Sequence, residues 1–123
     1  MTDLVRDSIW HSARSPNESW VIAGDFNSSE TFEQRAAGPR VNKEFLDSMQ
    51  QFVFTECLRK SKGKLTPTFL HSTGSIKHQI DHLFVTQSLG NKLQLCDIGL
   101  QNEIFGASPK LSDHLPIIVE FGV

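Results

Sequence analysis

The sequence predicts an α/β fold in which one sheet carries helices on one face. Three observations point there. Apolar residues recur at helical spacing in two separate stretches, two short continuous apolar runs read as buried strands, and further strand-like segments alternate with turn residues towards the C-terminus. In a chain of 123 residues, 38% hydrophobic and 21% charged, this pattern amounts to a single folding unit, residues 1–123, with enough apolar material for a core.

Thr2 or Asp3 can cap a first helix whose apolar positions are Leu4, Val5, Ile9 and Trp10, and Pro16 with Asn17 ends it. The run Trp20-Val21-Ile22-Ala23, bounded by turn residues and closed by Gly24, is expected to be a strand covered on both faces. Residues 25 to about 40 mix Ser, Thr, Glu, Gly38 and Pro39 and read as a loop. Asn42 can cap a second helix with Phe45, Leu46 and Met49 along one face, and Phe52, Val53 and Phe54 extend its apolar material. The basic stretch from Arg59 to Lys64 reads as a solvated connection, with a phosphate-backbone contact as the sharper alternative. Thr66–Leu70 is extended and His71–Ser75 turns. Strands are expected over Gln79–Thr86, Lys92–Ile98 and Pro116–Phe121, with a loop from Glu103 to Ser112.

Composition narrows the function classes. Lys and Arg total 12 against 14 Asp and Glu, a net charge of -2, so no broad basic surface points to a nucleic-acid partner and any phosphate recognition must be local. Cys57 and Cys96 stand apart without metal-type spacing and read as buried free thiols. No apolar run approaches the roughly 20 residues that cross a bilayer. The start of the chain has no secretion-signal pattern, so a cytoplasmic location is the expectation.

Chemistry concentrates where strands give way to loops. Gly24-Asp25-Phe26-Asn27 sets a carboxylate and an amide two residues apart, on one side of extended backbone. An Asx turn is the plain alternative to a role in proton transfer, metal binding or phosphoryl contact. Asp81 sits inside an otherwise apolar strand and needs a partner, because burying a lone carboxylate is costly. Ser112-Asp113-His114-Leu115-Pro116 offers one: an imidazole oriented by a carboxylate is a standard device for polarising a reacting group, so Asp81 is expected to pair with His114. Asp113 would then point elsewhere and could take a hard cation such as Mg²⁺. His11, His71 and His78 share no paired spacing and are expected at surface or loop positions, and Trp10 and Trp20 read as core or interface aromatics.

These blocks, Trp20 to Asn27, Ile80 to Val85 and Ser112 to Pro116, resemble in order the last three signature blocks of the endonuclease/exonuclease/phosphatase family, and Thr66-Pro67-Thr68-Phe69 resembles the strand ahead of the second. The likeness runs from about Trp20 to Phe121, and the opening helix resembles the one before the first block. It implies a divalent-metal-dependent phosphoesterase site. Asp25 would align or deprotonate the attacking water, Asn27 would hold a phosphoryl oxygen, Asp81 would orient His114, and His114 would stabilise charge developing on the phosphoryl group. Asp113 would help bind Mg²⁺ or Mn²⁺.

The departures count as well. The family is about twice as long, and the half that carries its metal-binding Glu has no counterpart here, which implies weak metal binding. Glu30, Glu33 and Glu103 do not stand in that context, Gln79 occupies a place where Arg is frequent, and His82 one where Tyr is common. The resemblance therefore implies the C-terminal half of a four-layer α/β/β/α sandwich, with one mixed, mainly antiparallel sheet. Its uncovered face needs a cover: a second copy in a homodimer, an N-terminal half supplied in trans, or the rest of a longer protein. Two readings follow, an assembled phosphodiesterase or phosphatase acting on phosphate esters, nucleic acid among them, and a catalytically inactive remnant that serves as a homodimeric or partner-binding module.

Overall fold

The structure is a computed structural model that describes residues 7, 18–26, 46–49, 51 and 53–122. The expected first helix, apart from Asp7, and the loop from residue 27 to residue 40 lie outside the described residues. The described elements are, in order, β1 (Val21–Asp25), β2 (Thr55–Glu56), α1 (Cys57–Lys62), β3 (Asp81–Val85), α2 (Gln87–Gly90), β4 (Leu93–Ile98), α3 (Gln101–Ile104) and β5 (Ile117–Phe121). Residues 46–49 are helical, as the Leu46 and Met49 spacing predicts.

The described strands form two antiparallel sheets rather than one. The first has the order β1-β3-β2 and the second pairs β4 with β5. Central β3 explains its own sequence. Leu83 and Val85 join Cys57, Leu58 and Cys96 in one core cluster, with Ile98, Ile117, Val119 and Phe121 packed against it. Phe84 points the other way, to Met49, Ile22, Phe26, Leu46 and Phe54. A strand buried on both faces has no polar side to alternate with, so it reads as a continuous apolar run.

β1 departs from expectation. It was expected to be covered on both faces, yet Val21 is 53% exposed and only Ile22 of its five residues is partly buried. The cause is position. β1 ends the strand order, and Val21 and Ala23 stand directly opposite Val85 and Leu83 on the face that α1 and the β4–β5 pair cover only as far as β3. Apolar side chains on that flank therefore remain in water.

The basic stretch after Arg59 is not a bare connection either. Cys57–Lys62 is helical: the Glu56 carboxylate accepts from the N–H groups of Leu58 and Arg59 at its start, and Gly63, with φ 71°, ends it in the left-handed conformation that glycine adopts without cost. Lys60 donates to the Gly90 carbonyl at 2.6 Å, and Lys62 pairs with Asp97 at 2.8 Å. Both ammonium groups thus have partners within the fold. Cys57 and Cys96 are free and buried. Burial, above all other influences, pushes their thiols up to about 12 and about 11. No helix among the described residues is long and apolar enough to cross a membrane.

Candidate active site

Asp25 is the last residue of β1 and Asp81 the first of β3, and the antiparallel register sets them opposite each other. Facing residues project from the same side of a sheet, so two carboxylates share one rung, an arrangement that repels unless a cation or donor stands between them. The ladder continues beyond them through the Phe26 N–H, which donates to the Ile80 carbonyl at 3.0 Å. Just before Asp25, Gly24 has φ 146°, a conformation that L side chains rarely adopt, and a Cβ there would touch nothing within 4 Å. Glycine is required for the backbone's path and not for space.

The donor between the carboxylates is an imidazole. Residues 68–70 lie between the segment leading into β3 and the segment leading into β5. The Thr68 N–H donates to the His78 carbonyl at 3.0 Å, the Leu115 N–H donates to the Thr68 carbonyl at 2.8 Å, and the Leu70 N–H donates to the Asp113 carbonyl at 2.8 Å. This brings His114 beside Asp81, although the two are 33 positions apart, with Nδ1 2.8 Å from Oδ2 and 3.1 Å from Oδ1. The Ser112 hydroxyl accepts from the His114 N–H at 3.0 Å, the Phe69 ring lies 5.1 Å from the imidazole, and Leu115 behind it is buried.

The far nitrogen of the ring faces the open side. His114 Nε2 is 3.9 Å from Asp25 Oδ2 and 3.7 Å from Asp113 Oδ1, and both of those carboxylates are substantially exposed. Desolvation, the largest single influence on the imidazole, pushes its pKa down. The hydrogen bond and charge of Asp81, with the charges of Asp25 and Asp113, outweigh it and hold His114 above the usual histidine value. The result is a half-buried imidazole ringed by three carboxylates, held at one nitrogen and presented at the other.

Asp25, Asp81 and His114 offer ligand atoms that all lie within 4.8 Å of one another and could hold a metal ion. Their donor set suits a divalent cation that accepts oxygen and one nitrogen, as Mn²⁺ does more readily than Mg²⁺. Asp113 is not in that group but stands beside it. Asn27, Glu30, Glu33 and His11 lie outside the described residues. Glu103 is exposed on α3. His71 is exposed and bonded within its own turn, at 2.9 Å to the Thr73 hydroxyl. Gln79 and His82 are buried polar groups 3.4 Å apart, and Gln79 accepts from the Thr66 N–H at 3.0 Å, so both serve the packing of the strand that carries Asp81. Sequence reasoning gave Thr68 no role. Its side chain is fully buried and donates to Asp81 Oδ2 at 2.8 Å.

No protein-family model and no curated protein matches the sequence. Solved structures do share its fold. One is the 3′ phosphatase NExo from Neisseria bound to a product DNA hairpin, 19% identical, with a TM-score of 0.75 over 97% of this chain and 49% of that one. The 3′-5′ exonuclease NExo from Neisseria meningitidis is 21% identical, with a TM-score of 0.72 over 95% and 48%. An AP endonuclease from Archaeoglobus fulgidus is 17% identical, with a TM-score of 0.75 over 98% and 52%. The chain spans about half the length of each. Its fold is accordingly half of an endonuclease/exonuclease/phosphatase-like fold.

Proposed function

We propose that this chain is the C-terminal half of a divalent-metal-dependent phosphoesterase that directs water at phosphorus. The observation that carries the reading is the His114 imidazole, fixed by Asp81 at Nδ1 and offering Nε2 between Asp25 and Asp113. That arrangement has one anchored end and one working end, as charge stabilisation in a transition state requires.

In this reading the protonated Nε2 donates to a phosphoryl oxygen as negative charge builds on it, and the Asp81 carboxylate stabilises the imidazolium in place. Asp25, exposed and adjacent, aligns the attacking water and takes its proton, while Asn27 holds another phosphoryl oxygen. Asp113, with Asp25, would hold a Mg²⁺ or Mn²⁺ ion, which when bound supplies positive charge against the phosphoryl oxygens. Asp81 is already committed to Thr68 and His114, which makes it the least available of the carboxylates for a cation.

The substrate class is a phosphate ester, with nucleic-acid phosphodiesters and 3′ phosphates first among candidates because the similar structures are named for those reactions. The exposed β1 flank fits a cover that completes the sandwich, which a second copy, an N-terminal half in trans or the rest of a longer protein would supply. The test is hydrolysis of a generic phosphodiester and of abasic-site DNA, with and without Mg²⁺ or Mn²⁺, by the chain and by Asp25→Ala and His114→Ala. Metal-dependent turnover that falls at least about 100-fold in both variants is expected. Turnover that is absent, or unchanged in both, leaves the non-catalytic binding module as the reading.

A further inference from the structure

We infer that Thr68 is a positioning residue of the candidate site: its buried hydroxyl turns the Asp81 carboxylate towards His114 and thereby holds the neutral imidazole as the Nδ1–H tautomer, with the Nε2 lone pair facing the open side. The inference rests on proton accounting at two hydrogen bonds. Thr68 Oγ1 lies 3.3 Å from the Asp81 N–H and 2.8 Å from Asp81 Oδ2. A backbone N–H can only donate, so Oγ1 accepts there. A carboxylate can only accept, so the one hydroxyl proton goes to Oδ2. Thr68 is 0% exposed, which keeps water from competing for either bond.

The same Oδ2 meets His114 Nδ1 at 2.8 Å, and Oδ1 meets it at 3.1 Å. A carboxylate is purely an acceptor, so the hydrogen bond to it needs its proton on Nδ1, which leaves Nε2 of the neutral ring as the lone-pair nitrogen. Thr68 is well placed to enforce this. Its own N–H and C=O tie the His78 and Leu115 backbones on either side of it, so the residue that orients the carboxylate also sets the spacing between the acid and the imidazole. Its β-branched side chain restricts χ1, which holds the hydroxyl on one line. Without that oxygen the partly buried Asp81 N–H loses this acceptor, and the carboxylate is free to turn away from Nδ1.

The structural claim stands apart from the phosphoesterase reading, on which only its kinetic consequence rests. The test therefore uses two readouts on the full chain. In ¹⁵N-histidine-labelled protein at about pH 9, where a histidine ring is neutral, long-range ¹H–¹⁵N correlation of His114 is expected to show the Nδ1–H tautomer, with a strongly deshielded Nδ1 proton. In Thr68→Val, which keeps the shape and deletes the oxygen, that proton is expected to broaden and the Nε2–H form to appear, while Thr68→Ser keeps the parent pattern. A parent ring in the Nε2–H form, or a folded Thr68→Val with an unchanged His114 signature, would overturn the inference. If Thr68→Val does not fold, Thr68→Ala, which also deletes the oxygen, decides by the same two outcomes.

Where the chain hydrolyses a phosphodiester, Thr68→Val is expected to lower kcat about 10-fold to 100-fold with KM unchanged, the usual cost of losing a group that orients a catalytic one, and Thr68→Ser to recover most of that loss. A rise in KM with kcat intact would refute positioning. A chain without turnover but with the expected tautomer pattern refutes the phosphoesterase reading alone.

Discussion

Replacing Asp81 by Asn tests the electrostatics of the site most directly. The amide keeps the shape and one acceptor oxygen but removes the charge that both the Thr68 hydroxyl and the His114 ring address at 2.8 Å. Charge-assisted hydrogen bonds are about twice as strong as neutral ones, so two of them losing that assistance costs about 1–2 kcal/mol. Against this, the facing Asp25 no longer opposes a like charge on the same rung, a relief of about 0.2–1 kcal/mol. The net expectation is a loss of about 1 kcal/mol near neutral pH.

The variant should also lose a pH signature. With the folded pKa of His114 raised above its unfolded value, the native state binds the extra proton more tightly, so the stabilisation is complete below the unfolded pKa and disappears as pH rises through the folded one. Urea unfolding of the parent from about pH 5 to about pH 9 should therefore show stability falling with pH in the histidine range. In Asp81→Asn both influences of Asp81 vanish, desolvation loses its main opponent, and that fall should disappear. Parallel parent and variant curves would refute the argument that Asp81 governs the charge on His114.

Other perturbations read the fold. Gly24→Ala introduces no clash but forces a Cβ into φ 146°, so urea unfolding should register a loss of about 1–3 kcal/mol, and an unchanged midpoint would contradict the strain. Val53, exposed and β-branched at φ 61°, sits in a left-handed conformation that Asn tolerates far better, so Val53→Asn should stabilise by up to about 1 kcal/mol in the same assay. Cys57 and Cys96, pushed up to about 12 and about 11 by burial, should resist a thiol-specific reagent at about pH 8 until the chain is unfolded. Rapid labelling of the native protein would show that the core is open.

Most of the strand framework was legible because burial on both faces leaves an apolar run, as in β3, and because Pro116 marks the start of the last strand, although β1 runs through Gly24 to Asp25 and does not close at the glycine. The Asp81–His114 contact could be anticipated from the cost of burying an unpartnered carboxylate. The misses have physical causes too. α1 was hidden because its charged residues lie at the C-terminal end, where they suit the helix dipole, while its start depends on a Glu56 cap and two buried residues. Exposure of β1 depends on strand order, which local composition does not encode. Thr68 lies in the Thr66–Phe69 stretch that the sequence marks as a strand, but the role of its side chain comes only from the two segments that tertiary pairing sets beside it.

Because the acid and the imidazole belong to segments 33 positions apart, their meeting requires closure of a long loop, and nothing local can assemble them beforehand. A partly folded chain that keeps the antiparallel β1–β3 pair but has not yet docked the final strand would hold two bare carboxylates and no ring between them. Local opening of the C-terminal strand should accordingly disable the site well before the β1-β3-β2 sheet dissolves, so that hydrogen-exchange protection at Leu115, and not at β3, tracks the fraction of competent molecules.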